Sequence, residues 1–189
     1  MRRDRVSMSM MMLLLALTGC STYSAVRYSP MAETVAMLRE YRPAKVSVGH
    51  FTMQKPRGAS IDCRMVGPIQ TPDDEPFEEF VRKAFVAELL MAELYAPAAP
   101  VTLTGHLDHF DFSSTDGRWD ISLVLRSSNG RELAVREEYK YEKHFIGEVA
   151  CRQTAHAMTP AIQDLVRKTV QHPDFAGLLQ TVPPGGPTK

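Results

Sequence analysis

The densest concentration of chemistry-bearing side chains in this 189-residue chain is Gly105-His-Leu-Asp-His109. Two imidazoles and a carboxylate are the donor types that hold zinc or another divalent ion. The surrounding residues alternate as a strand does, and strand residues three apart project to opposite faces. His106 and His109 therefore diverge, Asp108 shares a face with His106 only, and no third ligand has a definite place. The three read as polar groups on a wet sheet face, with no metal bound. The carboxylate pairs Glu78-Glu79 and Glu137-Glu138 are neighbours in sequence, which do not face each other on a helix or strand, and read as solvent-facing charge. No G-x-S-x-G elbow, H-E-x-x-H helix or glycine-rich phosphate loop occurs. Neither an enzyme nor a cofactor is expected.

The remaining chemistry lies in three cysteines, Cys20, Cys63 and Cys151. Cys20 closes the run "MMMLLLALTGCSTYS", Met10 to Ser24, which follows Arg2, Arg3 and Arg5. An apolar run of this length is short of the roughly 20 residues a bilayer-spanning helix needs. It has the form of a secretory signal: a basic start, a short apolar segment, then small residues at a cleavage point. Leu17-Thr18-Gly19-Cys20 resembles the lipobox of bacterial lipoproteins. The resemblance implies cleavage between Gly19 and Cys20, a diacylglyceryl group on the Cys20 sulfur and acylation (palmitate or a similar chain) of the new amino terminus. Two or more acyl chains anchor stably where one binds marginally. Ser21, by similarity to the sorting rule of Gram-negative lipoproteins, implies the periplasm-facing leaflet of the outer membrane.

Removing residues 1–19 takes out three arginines and Asp4, leaving 19 basic against 21 acidic side chains. A nearly neutral chain without a basic block is a poor partner for nucleic acid. In an oxidising periplasm the two cysteines left, Cys63 and Cys151, read as one structural disulfide. They are too far apart for a redox motif and too few for a metal site.

These residues must be positioned by one domain, since the mature length suits a single core. Residues 1–19 are the signal, 20–43 the lipidated start and tether, 44–180 an α+β domain, and 181–189 a loose Pro/Gly-rich tail. In the tether, Met31, Val35 and Leu38 are spaced for a short helix. Lys45–Met53 reads as the first strand, and Ser60–Val66 as a short edge strand in a Pro/Gly-rich stretch. Asp74 or Glu75 can cap a helix that Pro76 opens. Its apolar face runs from Phe77 through Phe80, Val81, Phe85 and Met91 to Tyr95. Val101, Leu103, Gly105 and Leu107 alternate with polar residues, but Phe110 and Phe112 fall on the other parity, so a bulge is expected near Asp108. Trp119–Leu125, the Asn129-Gly130 turn and Leu133–Tyr141 complete a hairpin. A long helix from Gly147 to Gln171 is expected to kink or break at Pro160. The order β-α-β-β-β-α gives an antiparallel sheet of about four strands with two helices packed on one face.

The stretches "FEEFVRKAFVAELLMAELY", "VTLTGHLDHFDFSS", "WDISLVLRSSNGRELAVREEYKYE" and "ACRQTAHAMTPAIQDLVRKTVQHPDFAGLL" resemble the small envelope lipoproteins of the YajG-like kind, and a broader group that includes the lipopolysaccharide-assembly lipoprotein LptE. That resemblance implies this fold and an outer-membrane periplasmic setting, and carries no active-site residue. The sequence therefore reads as a non-enzymatic accessory or interaction subunit for envelope assembly or transport, bound to an envelope protein. Phe110 and Phe112, taken to project away from the helices, are the expected partner-binding patch. The alternative is a lipid- or glycan-binding module, which needs a cavity lined by Phe77, Phe85, Leu107 and Trp119.

Overall fold

The Schellman turn at Leu89–Leu94 shows how closely local sequence sets the elements. In the computed structural model, which describes residues 22–181, Glu93 adopts a left-handed φ of 63°. Leu94 N–H then donates to Leu89 O at 2.8 Å and Glu93 N–H to Leu90 O at 3.0 Å. These two bonds satisfy orphan carbonyls and end helix α2, Phe77–Met91. The helix thus stops short of Tyr95. Its start is held without a side-chain cap: Pro76 is the N-cap residue, and neither Asp74 nor Glu75 bonds the first turn.

The other elements are β1 (Tyr23–Ser24), α1 (Ala32–Arg39), β2 (Val46–Met53), β3 (Ser60–Cys63), β4 (Gly67–Gln70), β5 (Val101–Ser113), β6 (Arg118–Ser127), β7 (Glu132–Lys140), α3 (Gly147–Gln171) and α4 (Phe175–Leu178). The fold is α+β, with two mixed sheets rather than one antiparallel sheet. In the larger, ordered β2-β5-β6-β7, strands β5 to β7 form the expected antiparallel meander, but β2 runs parallel to β5. A parallel neighbour needs a crossover, and the β2–β5 connection supplies it by carrying α2 and the β3–β4 hairpin. The smaller sheet, β1-β4-β3, pairs that hairpin antiparallel and adds β1 parallel to β4.

Strand β1 corrects the expected tether, because most of the segment before residue 44 is docked on the domain. Tyr23 and Ser24 pair with Ile69 and Gln70. Thr159 Oγ1 donates to Val26 O at 2.5 Å and Gln163 Nε2 to Ser29 O at 2.9 Å, so α3 binds the backbone that follows. Helix α1 then buries Val35 and Leu38. Gly19 and Cys20, with the tail after Thr181, lie outside the described residues.

Helices α2 and α3 cover one face of the larger sheet. Trp119, fully buried, lies at the centre and donates its indole N–H to Thr154 O at 2.9 Å. Helix α3 runs unbroken from Gly147 to Gln171 with Pro160 inside it, rather than breaking there. Proline removes one bond, and the helix's long buried stripe, which includes Ala157, Met158, Ala161 and Ile162 around Pro160, outweighs that loss.

Candidate functional site

The polar face of the larger sheet is built by strand alternation. Along β6, Trp119, Ile121, Leu123 and Leu125 enter the core while Arg118, Asp120, Ser122 and Arg126 face out. Register then places Asp120 opposite Glu138 and Ser122 opposite Arg136. Asp120 receives Arg118 Nε at 2.7 Å and lies 3.5 Å from Arg136; Arg118 also reaches Asp116 at 3.5 Å, and Lys140 meets Glu138 at 3.4 Å. The carboxylate of Asp120 raises the Arg118 pKa further. The charges are mutually paired, so the face presents alternating sign and no single-sign field.

At its β5 end this face carries the Gly105–His109 segment. The register shifts between Leu107, opposite Leu123, and His109, opposite Ser122. The extra residue puts Asp108 and His109 both in solvent and returns Phe110 to the core side. His106 shares a hydrogen bond with Thr52 Oγ1 at 2.7 Å through Nδ1, and through Nε2 lies 3.3 Å from Gln54 Oε1 and 3.5 Å from Asp108. Among the described residues no group of three His, Cys, Asp or Glu side chains converges as metal ligands do.

The bulge also decides the expected docking patch, and corrects it. Phe110 is 3% exposed, with its ring centroid 5.1 Å from Phe77 and 5.2 Å from Trp119. Phe112 is half-buried, packed 5.0 Å from Trp119. The parity change is real, but the extra residue compensates it, so both rings lie on the helix side of the sheet. Phe77, Phe85, Leu107 and Trp119 are likewise packed core residues, each at most 3% exposed. The space a lipid or glycan would occupy between helices and sheet is filled by these rings.

Cys63 and Cys151 form a disulfide that ties the end of β3 to the first turns of α3. Arg64, next in the chain, donates to Ser114 Oγ at 2.9 Å, Ser114 O at 2.8 Å and Phe145 O at 3.2 Å. Arg57, in the loop before β3, pairs with Asp111 at 2.9 Å.

Two buried carboxylates depart from the solvent-facing reading or escaped it. Glu137 is 2% exposed and its carboxylate meets Lys168 of α3 at 2.7 Å. Its parity with Leu133 and Val135 points it inward, and that parity was the available signal. Glu88, 1% exposed, accepts Tyr28 O–H at 2.8 Å and Met31 N–H at 2.9 Å, clasping the amino-terminal segment to α2. Burial raises the Glu88 carboxyl pKa, and the two hydrogen bonds oppose the rise. Burial, then the Glu88 charge, pushes the Tyr28 phenol well above its usual range. Its place in the stripe Val81, Ala84, Phe85, Glu88 marks Glu88 as an inward residue. Glu78 and Glu79 are half-buried on α2, where Glu79 accepts two bonds of 2.7 Å from Arg82.

No helix among the described residues is long and apolar enough to cross a membrane. No protein-family model matches the chain, and no curated protein does. Among solved structures it is similar to a Xanthomonas campestris protein of the DUF330 family, at 13% identity and a TM-score of 0.49, covering 80% of this chain and 95% of that one. It is also similar to a Caulobacter crescentus protein provisionally described as a lipoprotein, at 14% identity and a TM-score of 0.36, covering 77% and 94%.

Proposed function

We propose that the chain is a lipid-anchored envelope protein of a Gram-negative bacterium, held at the periplasmic face of the outer membrane, that acts without catalysis as an accessory subunit for an envelope assembly or transport process. The observation that carries this is Leu17-Thr18-Gly19-Cys20 directly behind a basic, then apolar, leader. The docked start of the domain adds to it. Tyr23 is already paired in the small sheet, so any lipid on Cys20 is joined to the body by a link only a few residues long, which suits a protein that works at the membrane surface.

The order of elements between Lys45 and Leu179 supports grouping with the YajG-like and LptE-containing lipoproteins, with the β3–β4 hairpin as an addition. With Phe110 in the core, the polar sheet face takes over as the surface for a protein partner. Its paired, alternating charges favour a specific, register-dependent contact over general attraction. The test is chemical cross-linking in intact cells followed by purification from detergent-solubilised membranes. A stoichiometric protein partner lost on the charge reversals Arg136→Glu and Lys140→Glu supports the reading. Co-purified lipid with no protein would favour the ligand-binding module, and neither would leave a structural spacer.

A further inference from the structure

Six large apolar side chains are exposed among the described residues: Val26, Met65, Leu90, Met91, Phe145 and Ile146. Single exposed apolar residues need no explanation, but three of these six gather at one end of the molecule. Met65 forms the tip of the β3–β4 hairpin and is fully exposed, Phe145 is 87% exposed and Ile146 48%. Arg64 joins the two loops through its bond to Phe145 O. Gly147 brings the start of α3 so close to the tip that a Cβ there would stand 2.9 Å from Val66 Cγ2.

This is also the end at which the chain leaves toward Cys20. Strand β1 runs parallel to β4 with Tyr23 opposite Ile69, so moving back along the chain from Tyr23 heads for the hairpin tip. Two residues lie between Cys20 and Tyr23, as two lie between Val66 and Ile69. At roughly 3.3–3.6 Å per residue, Cys20 lies within about 11 Å of Tyr23, a span that reaches the level of the tip and no farther across the molecule. The end is also held rigid. The Cys63–Cys151 disulfide and the three Arg64 bonds fix a tip whose Arg64 and Met65 both sit in the left-handed region, at φ 49° and 56°. The hairpin turn, closed by Val66 N–H to Cys63 O at 2.9 Å, accounts for that backbone but not for an apolar methionine at a position that Asn or Gly usually fills. Lys143 and His144 flank Phe145 as groups for headgroup phosphates, with Glu142 and Glu148 at the margins.

We infer that Met65, Phe145 and Ile146 rest in the surface of the bilayer that holds the Cys20 lipid. This inference rests on the lipoprotein reading. Lipid and patch together fix the domain's orientation, with the opposite end, near Leu90 and Met91, turned toward the periplasm.

Phe145→Trp and Leu90→Trp variants of the full chain, purified from membranes and reconstituted in phosphatidylethanolamine–phosphatidylglycerol vesicles with brominated acyl chains, test it. Both sites are exposed, so neither change disturbs the core, and buried Trp119 gives a common background. Residues seated at the headgroup–acyl boundary lie about 5–10 Å deep, and the added fluorescence of Phe145→Trp is expected to fall by roughly half, that of Leu90→Trp hardly at all. Equal quenching in the two variants, or none in Phe145→Trp, overturns the inference even when Cys20 is acylated and the protein is vesicle-bound. An unacylated Cys20, read by mass on the same samples, removes the lipoprotein reading and this inference with it.

Discussion

Truncating Phe110 to alanine tests the β5 register, on which the whole sheet depends. The ring is almost fully buried and in contact with both Phe77 and Trp119. Removing a core Phe side chain costs about 3–5 kcal/mol, and the lost aromatic pairs fall within that range. A domain of this size is stable by about 5–15 kcal/mol, so Phe110→Ala should remove roughly a fifth or more of the total. Phe112, half-exposed and touching Trp119 on one side, should lose about 1–2 kcal/mol by the same reasoning. The assay is urea unfolding followed by tryptophan fluorescence, since Trp119 is the only tryptophan and both rings contact it. The midpoint should fall clearly farther for Phe110→Ala than for Phe112→Ala, by a factor of about 1.5 or more, at an unchanged slope. Deleting Asp108 should cost less than Phe110→Ala, because it removes only the extra residue and leaves Leu107, Phe110 and Phe112 on one face in regular alternation. Equal small losses for the two alanine variants, or a deletion that costs more than Phe110→Ala, would refute the bulge and return Phe110 to the solvent side of the strand.

Three further outcomes are expected. Replacing Cys63 and Cys151 together by alanine opens a loop with a sequence separation of 88, and the chain-entropy treatment gives a loss of about 4–5 kcal/mol, read as the drop in denaturation midpoint; an unchanged midpoint would show that the cross-link contributes nothing. Gly105→Ala places a methyl group 2.6 Å from the Phe51 ring, itself packed on Phe85, and should cost about 1–3 kcal/mol of overpacking; a neutral result means that the ring is free to move. The Glu88 pKa is raised in the fold, so the protonated form is favoured there and its contribution is complete below the unfolded value of about 4.3 and is lost as pH rises through the folded value. Glu88→Gln keeps an acceptor for Tyr28 and Met31 but cannot titrate, so its stability relative to wild type should increase between pH 4 and 8; a pH-independent difference would contradict the shift.

The meander was legible because β6 and β7 keep a strict alternation and the Asn129-Gly130 turn fixes their register. The disulfide was legible once the leader assigned Cys20 elsewhere. Three features were not legible, two because a long-range contact decided them and one because of a local miscount. The parallel pairing of β2 depends on where the crossover returns, and the sequence of Val46–Met53 does not contain that. The docking of β1 depends on acceptors and donors more than forty residues away, Gln70, Glu88, Thr159 and Gln163, so a short polar segment read as a tether. The patch at Phe110 failed because parity was counted through the bulge without adding the bulge's own extra residue. Met65 and Phe145 escaped notice for a different reason: separately each is one apolar residue in a loop, and only the fold places them together beside the start of the chain.

The first residue of the mature protein decides most directly whether this is a lipid-anchored protein. Mass analysis of the amino-terminal peptide from membrane-purified protein should find Cys20 first, carrying a diacylglyceryl thioether and an acylated amino group, with the uncleaved precursor accumulating in the presence of globomycin. A mature chain that begins at any other residue, or a Cys20 without lipid, would contradict the lipid-anchored reading.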